Sequence, residues 1–219
     1  MPHTFMIATP SLDATVKTAT ALGFVETACA IQRQGDSVTF AFPKTPLIAF
    51  ARNQCVKSAL DSDVDYLLFW DSDVAVIQPR DFIYLLRDRL EKSGAWVAGG
   101  AYRFKNPDAA PTCPVGNDVD GQIEYMNIEF GQTVEVDLLP TGLMLIPRWV
   151  LEKVPRPWFH VEDDPETLNV IPEDYYFCKK VRELGGKILC AGEIATVHFG
   201  DYPFGFPPND RELKAFDQA

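Results

Sequence analysis

The stretch YLLFWDSDVAVI, residues 66–77, determines how the rest of the chain is interpreted. Its first five residues are apolar or aromatic, as in a buried strand, and the run stops at Asp71 and Asp73, which only Ser72 separates. Two carboxylates this close repel each other and resist desolvation unless something positive compensates their charge. Solvent, an arginine or a metal ion could do so.

The position of the two aspartates at the end of a strand favours a binding site. Ligands of open α/β sheets bind at the carboxyl ends of the strands. Carboxylates on alternate residues of a turn can converge on a hard cation such as Mg²⁺ or Mn²⁺. Asp-x-Asp is also common at strand ends without any ligand, because aspartate stabilises turns. From these residues alone, a metal site and a polar turn explain the sequence equally well.

The segments around this strand alternate between strand and helix patterns. Apolar residues at helical spacing predict three helices, the first with Ser11 or Asp13 as its cap. This alternation is typical of a mostly parallel central sheet flanked by helices, so α/β is the expected fold class. The strands are predicted at 4–9, 25–32, 38–42, 66–70 and 96–101, and the helices at 11–22, 45–60 and 79–94.

The C-terminal half follows a different pattern. Residues 123–139 alternate polar and apolar around Gly131, as in a hairpin, and a strand at 143–146 leads into a short helix. A helix is predicted from Glu173 to a Gly-Gly stop, followed by a strand at 187–191. These signals predict a small antiparallel element, and no linker divides the chain. Proline- and acid-rich loops are predicted at 103–121 and 155–172.

The composition is that of a soluble globular protein, with 47% hydrophobic and 23% charged residues among 219. The net charge of −11 disfavours broad binding to nucleic acid, since phosphate contacts need lysine and arginine. No apolar run approaches the roughly 18 residues of a membrane span, and the N-terminus lacks a signal-peptide pattern, so a cytoplasmic protein is expected. Five scattered cysteines without a CxxC pair indicate reduced thiols. The motifs GxxxxGK[ST], GxGxxG and GxSxG are absent.

Three further places combine reactive side chains with an ordinary structural explanation. Glu173 and Asp174 open a predicted helix, where the helix N-terminus stabilises carboxylates, but a carboxylate there can also act as a general base. His198 follows the last clear strand and is either a core residue or a metal ligand. Arg52 and Asn53 belong to a solvated helix face unless the arginine clamps a phosphate.

Taken together and in order, these motifs resemble those of glycosyltransferases with the GT-A fold. The first strand ends in a TP loop, ARN follows on a helix, and FWDSDV matches the DxD motif of that family. TGLMLIPRWVLEKV, EDYYFCKKVRELGGKI and VHFG are similar to the later strand and helix, the ED-headed helix and the late histidine of inverting, family 2-like members. DxD alone is a weak signal, but these motifs in this order are specific, and they span about residues 4–200.

The resemblance implies a single GT-A-type domain over residues 1–219. Its nucleotide-sugar-binding half is expected at about 1–105 and its acceptor-side half at about 106–219. No separate acceptor-binding module is recognisable, so the resemblance does not identify the acceptor. Contacts to the donor are expected from Thr9, Pro10, Ser11, Arg52, Asn53, Asp71, Ser72, Thr141 and Gly142.

The resemblance also implies roles for the reactive side chains. Asp73 is expected to coordinate a divalent ion, with His198 as a further ligand and with Asp71 reaching the metal or the ribose of the donor. Because of the histidine, Mn²⁺ is expected, with Mg²⁺ as the alternative, since Mg²⁺ prefers oxygen ligands. Asp174 is expected to be the catalytic base, and Glu173 is its rival for that role.

By this resemblance the protein is expected to move a sugar from a nucleoside-diphosphate sugar, with UDP favoured, to a hydroxyl group, with inversion. The acceptor is a glycan, a lipid-linked molecule, a protein or a modified nucleic acid. A nucleotidyltransferase is an alternative, but such enzymes need a Gly- and Lys-rich loop, and residues 8–17 are poor in both. A second alternative is a non-catalytic nucleotide-sugar-binding module, against which the joint presence of Asp71, Asp73, Asp174 and His198 argues.

Overall fold

A computed structural model of the chain describes residues 2–106, 113–119, 122–163 and 169–200 and, for residues 203–206, the backbone. The helices are α1 (Thr18–Arg33), α2 (Ile48–Asp61), α3 (Phe82–Ser93), α4 (Arg148–Lys153) and α5 (Glu173–Glu183). The strands are β1 (Thr4–Ala8), β2 (Ser37–Ala41), β3 (Tyr66–Trp70), β4 (Val74–Val76), β5 (Val97–Gly100), β6 (Gly116–Val119), β7 (Gln122–Tyr125), β8 (Thr133–Val136), β9 (Leu143–Pro147), β10 (Glu162–Asp163), β11 (Val170–Ile171), β12 (Ile188–Ala191), β13 (Thr196–Phe199) and β14 (Pro203–Phe206).

The centre of the molecule is a seven-stranded sheet in the order β2-β1-β3-β9-β5-β12-β8. β1 is parallel to both β2 and β3, and β5 is parallel to β12, whereas β9 and β8 run antiparallel to their neighbours. The predicted α/β class with a mostly parallel sheet is therefore confirmed. Because β9 is reversed between β3 and β5, the residues just before β9 reach the edge at which those two strands end.

The central strands are buried on both faces, which explains their unbroken apolar sequences. In β3, Leu68 and Trp70 belong to the apolar cluster beneath α1 and α3, whereas Leu67 and Phe69 belong to the cluster beneath α2, α4 and α5. Successive residues of a strand point to opposite faces. A run of five apolar residues is therefore what a sheet covered on both sides requires, and the predicted buried strand at 66–70 is confirmed.

The prediction of a strand at 25–32 is wrong, because α1 continues through these residues. Phe24 and Ile31 are buried at helical spacing, and the Phe24 ring packs edge-on against Trp70 with the ring centroids 4.8 Å apart. The local run of apolar and β-branched residues fits a strand as well as a helix. Packing against the sheet decides between them.

Helices α1, α2 and α3 start later than predicted. α1 begins at Thr18, because Asp13 does not cap it but accepts hydrogen bonds from the backbone N–H (3.0 Å) and the hydroxyl (2.7 Å) of Thr15. α3 begins at Phe82 because Pro79 is fixed outside the helix, where its carbonyl oxygen accepts a hydrogen bond from the Thr27 hydroxyl (2.7 Å). Hydrogen bonds made by the preceding loops thus keep α1 and α3 from starting at the predicted residues.

Residues 123–139 do not form the predicted hairpin. Gly131 does lie in a turn, with a φ of 90°, but β7 pairs with β6 and β8 pairs with β12. The register of polar strands is weakly specified by their own sequence. An antiparallel element is present in another form, because β4, β13 and β14 make a separate three-stranded sheet. Within the predicted loops, residues 107–112, 120–121 and 164–168 lie outside the described residues.

Two general expectations can be compared with the structure. All five cysteines are free thiols, and only Cys29 is exposed. Over the described part of the chain, no helix combines the length and the apolar character that crossing a bilayer requires.

Gly99 lies where β5 packs against β9, and a side chain there has no room. A Cβ atom at this position would lie 2.3 Å from the Leu143 carbonyl oxygen. We expect Gly99→Ala to lower the free energy of unfolding by about 1–3 kcal/mol or more through overpacking, measured by urea denaturation. Gly200→Ala is the control, because a Cβ atom there would meet only the flexible side chain of Lys105. Equal midpoints for the two variants would contradict the close packing of β5 and β9.

Candidate active site

The carboxyl edge of the sheet collects polar residues from several strands. Thr9 follows β1, Asp71 follows β3, and Tyr102 follows β5 by two residues. Thr141 and Gly142 precede the reversed strand β9, and the Asp71 N–H donates a hydrogen bond to the Gly142 carbonyl oxygen at 3.0 Å. Four residues predicted from the sequence to contact the donor therefore lie at one edge, beside a tyrosine that the sequence did not single out.

Arg52 on α2 is the central charge of this edge. Its side chain is buried, with 4% of the residue exposed. Its Nε donates to Glu173 Oε1 at 3.0 Å, and Nη1 and Nη2 both donate to Asp71 Oδ1 at 3.3 Å. Burial alone would lower the pKa of Arg52, but the two carboxylates raise it above its usual value. The guanidinium is therefore permanently charged, and it joins α2, β3 and the start of α5.

These contacts bear on two of the expected roles. Arg52 was predicted to be either a solvated residue or a phosphate clamp, whereas its nitrogens face two protein carboxylates. Asp71 was predicted to reach a metal or the ribose, whereas one of its oxygens is held by Arg52. The charge compensation required by the sequence of residues 66–77 comes, for Asp71, from this arginine.

Asp174 lies beside this ion pair on the first turn of α5. Burial, followed by the charge of Glu173, raises the pKa of Asp174 to about 7, while Arg52 and the backbone N–H of Tyr175 act in the opposite direction. The carboxyl group is therefore enclosed by protein, although the residue as a whole is not fully buried. A carboxyl group with a pKa near neutrality is suited to accept a proton at physiological pH.

Asp73 and His198 form a second charged group at this edge. β13 pairs antiparallel with β4, which places His198 opposite Val74 and brings its Nε2 to 3.6 Å from Asp73 Oδ1. The His198 Nδ1 lies 2.8 Å from the Arg103 carbonyl oxygen. A carbonyl oxygen only accepts, so Nδ1 carries a hydrogen, and Nε2 is the ring nitrogen that faces the aspartate.

Lys105 completes this group. Its ammonium pairs with Asp73 Oδ2. Burial acts to raise the pKa of Asp73, but the hydrogen bonds and charges of His198 and Lys105 prevail and lower it to about 2. Asp73 is therefore an anion at neutral pH, held between a cation and an imidazole.

The donor set of Asp73 and His198 fits a divalent metal, with two protein ligands. A metal-binding histidine commonly donates its other ring N–H to a carbonyl or carboxylate, as His198 does. Among the described residues, no group of three or more His, Cys, Asp or Glu side chains could hold a metal ion, and Asp71 is bound to Arg52. Phosphate oxygens of a substrate and water would have to fill the remaining positions, as is usual for Mg²⁺ sites.

Tyr102 supports the floor of the cleft. Its hydroxyl oxygen accepts a hydrogen bond from the Gly142 N–H at 3.1 Å, and its ring packs edge-on against His198 with the centroids 5.0 Å apart. A Cβ atom at Gly142 would lie 2.5 Å from the tyrosine ring, so only glycine fits here. The buried hydroxyls of Thr9 and Thr141 have no hydrogen-bond partner among the described residues.

Asn53 and Ser11, which are also predicted to contact the donor, make side-chain hydrogen bonds within the protein. Asn53 uses its full side-chain capacity on backbone groups of Ala49, Trp158 and Phe159. Ser11 bonds to Asp13 and to the carbonyl oxygen of Thr15. Direct donor contacts by these two side chains would cost those bonds. Pro10 and Ser72 lie in the loops after β1 and β3, and the Ser72 carbonyl accepts a bond from the Lys17 N–H at 2.9 Å.

Neither a protein-family model nor a characterised protein sequence matches this chain significantly, but solved structures do. A197 from STIV is 22% identical, with a TM-score of 0.65 over 92% of this chain and 87% of that one. TarS of S. aureus is 14% identical, with a TM-score of 0.51 over 88% of this chain and 58% of that one. A glycosyltransferase involved in glycosylation of the major capsid of PBCV-1 is 14% identical, with a TM-score of 0.38 over 70% and 69%.

The chain has a GT-A-like glycosyltransferase fold. At these identities the comparisons establish the fold, and the activity has to be argued from the site. Two site residues were missed from the sequence, Tyr102 and Lys105. Both residues follow β5. Their position after a predicted strand was the signal that could have found them.

The buried arginine pair has a measurable consequence. We expect Arg52→Met to destabilise the protein by about 3–5 kcal/mol, because it leaves Glu173 buried without its counter-ion. The measurement is urea denaturation at neutral pH. Arg52→Met combined with Glu173→Gln should recover part of the loss.

Arg80→Met is the matched control for this variant, because its pair with Glu26 is exposed at the surface. Exposed pairs contribute about 0–1 kcal/mol. A loss no larger for Arg52→Met than for Arg80→Met would show that the buried guanidinium does not hold the three elements together.

Proposed function

We propose that the protein is a metal-dependent, inverting glycosyltransferase that uses a nucleoside-diphosphate sugar. The observation that carries the proposal is the presence, at one edge of a GT-A-like sheet, of two differently tuned acidic groups. Asp174 has a pKa of about 7, and Asp73 has a pKa of about 2 and faces an imidazole nitrogen. The first suits proton transfer and the second suits a cation.

In this proposal Asp73 and His198 hold a divalent ion, which when bound neutralises charge on the diphosphate leaving group. The imidazole ligand favours Mn²⁺ over Mg²⁺. The Lys105 ammonium, which pairs with Asp73, is close enough to turn towards the phosphates as a second positive charge. UDP is the favoured nucleotide on the basis of the resemblance.

Asp174 is proposed as the base. As an anion it takes the proton from the acceptor hydroxyl, whose oxygen forms the new bond to the anomeric carbon. The bond from that carbon to the diphosphate breaks on the opposite side, so the configuration is inverted. Glu173 is the weaker candidate because Arg52 holds its carboxylate at 3.0 Å. Its charge instead contributes to the raised pKa of Asp174.

A nucleotidyltransferase is the alternative to a glycosyltransferase. The loop after β1, residues 9–17, contains no glycine and a single lysine, Lys17, so it lacks the composition of a Gly- and Lys-rich phosphate loop. A panel of nucleotide sugars separates the candidates. Sugar transfer or slow donor hydrolysis supports the glycosyltransferase, and release of pyrophosphate supports the nucleotidyltransferase. Binding without turnover supports a non-catalytic module.

The metal site is tested by binding rather than by activity. We expect Asp73→Asn and His198→Ala each to weaken Mn²⁺-dependent binding of UDP by at least about tenfold, a loss found even for indirect partners of metal ligands. Isothermal titration calorimetry with and without EDTA measures this. Asp88→Asn on the exposed face of α3 is the control. Binding by the native protein that EDTA leaves unchanged would contradict the metal site, as would a His198→Ala variant that loses only melting temperature.

The base is tested by turnover and stereochemistry. We expect Asp174→Asn to lower the transfer rate by on the order of a hundredfold or more and to leave UDP affinity unchanged. The rate of the native protein should rise with pH and level off above about 7, because the anion of Asp174 is the active form. Glu183→Gln, at the other end of α5, is the control. A product that retains the donor configuration would contradict the assignment.

The Asp174→Asn variant also gives a readout that does not depend on activity. The pKa of Asp174 is raised in the folded state relative to its ordinary value of 3.8. Its ionisation therefore removes stability as the pH rises from about 4 through about 7. Asn cannot ionise, so the stability of Asp174→Asn relative to the native protein should increase over this range. A constant difference would show that Asp174 is not enclosed as described.

A further inference from the structure

The strand β2 at the end of the central sheet has a free edge. Among the described strands it pairs with β1 alone. The Ala41 and Pro43 carbonyl oxygens accept hydrogen bonds from the N–H groups of Thr9 and Ser11, in the loop after β1, and the Ser37 N–H donates to the His3 carbonyl. The backbone N–H and C=O groups of Ser37, Thr39 and Ala41 therefore face β1. The backbone groups of Val38, Phe40 and Phe42 point away from the sheet.

This edge lacks the features by which sheet edges usually avoid further pairing. Charged residues, prolines and bulges normally interrupt such a strand. Residues 37–42 contain neither a charge nor a proline, and the register with β1 is continuous. Between residues 37 and 51 Lys44 is the only charged residue, although the whole chain carries a net charge of −11.

Exposed aromatic rings lie along the same edge. Phe40 and Phe42 are stacked, with their ring centroids 5.8 Å apart, and both contact Phe24 beneath them. Phe40 is nevertheless 40% exposed and Phe42 52% exposed. A stacked pair of half-exposed phenylalanines is costly in water, which makes this edge the place where apolar area remains to be buried.

The apolar surface continues onto both neighbouring helices. On α1, Phe24 contacts both Phe40 and Phe42, and its neighbour Val25 is exposed. On α2, a hollow of about 530 Å³ between β2 and the helix is lined by Gln54 and Ser58, and Leu47 lies two turns before Gln54 on the same side. We call this surface the β2 patch: Leu22, Val25, Phe40, Phe42, Leu47, Ile48 and Phe50, each between 37% and 66% exposed.

The area of the β2 patch matches that of a protein interface. A large apolar side chain has on the order of 200 Å² of surface. Seven half-exposed side chains therefore present roughly 700 Å², close to the ~800 Å² that each partner buries in a standard interface. The largest apolar patch on a typical monomer is only about 300–600 Å².

We infer that the β2 patch binds a second copy of this chain, with the two β2 strands paired antiparallel across a twofold axis. A twofold axis perpendicular to the sheets makes the paired strands antiparallel and brings the same patch together with itself. The outward backbone groups of Val38, Phe40 and Phe42 then find partners, and Phe40 at the centre of the three lies next to the axis. Like-charge repulsion is small here because Lys44 is the only charge in the segment.

A lipid surface is the less favoured occupant. Peripheral membrane binding usually combines apolar side chains with several lysines or arginines. The segment offers one lysine, and the chain is strongly acidic. Self-association needs no basic residues.

The test is the mass of the native chain in solution, measured by sedimentation velocity over a concentration series. We expect a dimer whose dissociation constant rises by at least about a hundredfold in Phe42→Glu, since this variant would bury an unpaired carboxylate in an apolar interface. Because Phe42 also packs on Phe24, Leu47→Glu serves as a second variant at a more exposed position. Leu184→Glu, on an exposed residue beyond α5, should leave the dimer intact.

Three results would overturn the inference. The first is a native chain that stays monomeric at all concentrations. The second is a dimer that persists in both Phe42→Glu and Leu47→Glu while circular dichroism shows both variants folded. The third is a monomer that sediments with phosphatidylcholine vesicles and loses this in both variants, which would assign the β2 patch to lipid. None of these results depends on the proposed enzyme activity.

Discussion

The buried guanidinium of Arg52 is the interaction on which the rest of the site depends. Two carboxylates from different elements, Asp71 after β3 and Glu173 on α5, approach the same enclosed space, and without a cation they could not both be ionised there. Arg52 meets both with the fixed geometry of its nitrogens. A lysine offers a single charged atom on a flexible chain and could not join two elements in this way. The position of α5 relative to the sheet follows from this contact.

Arg52 compensates only the carboxylates next to it, so the acidic groups of the site keep different pKa values. Arg52 neutralises Glu173 and Asp71 but only partly offsets the burial of Asp174, so the pKa of Asp174 remains raised to about 7. Asp73, beside Lys105 and His198, is shifted the other way, to about 2. Neighbouring carboxyl groups whose pKa values are pushed apart can divide the tasks of binding a cation and moving a proton.

The antiparallel strand β9 brings these groups together. In an all-parallel sheet the residues before β9 would lie at the opposite edge from Asp71. Because β9 is reversed, the Gly142 carbonyl oxygen accepts a hydrogen bond from the Asp71 N–H, and the Gly142 N–H donates one to the Tyr102 hydroxyl. The absence of a side chain on Gly142 allows that approach. The buried hydroxyls of Thr9 and Thr141 at the same edge have no hydrogen-bond partner among the described residues, and burying such groups costs free energy.

The sequence by itself determined the α/β alternation, the buried strand at 66–70, the carboxylates at its end and a helix headed by Glu173 and Asp174, because these depend on local period and on short-range turn chemistry. Only the tertiary structure decided that residues 25–32 are helical, that β7 and β8 have different partners, that Arg52 binds Asp71 and Glu173, and that Lys105 pairs with Asp73. Arg52 and Glu173 are 121 residues apart. A contact at that separation depends on the order of the strands and on which charged groups become buried. The sequence around either residue specifies neither of these.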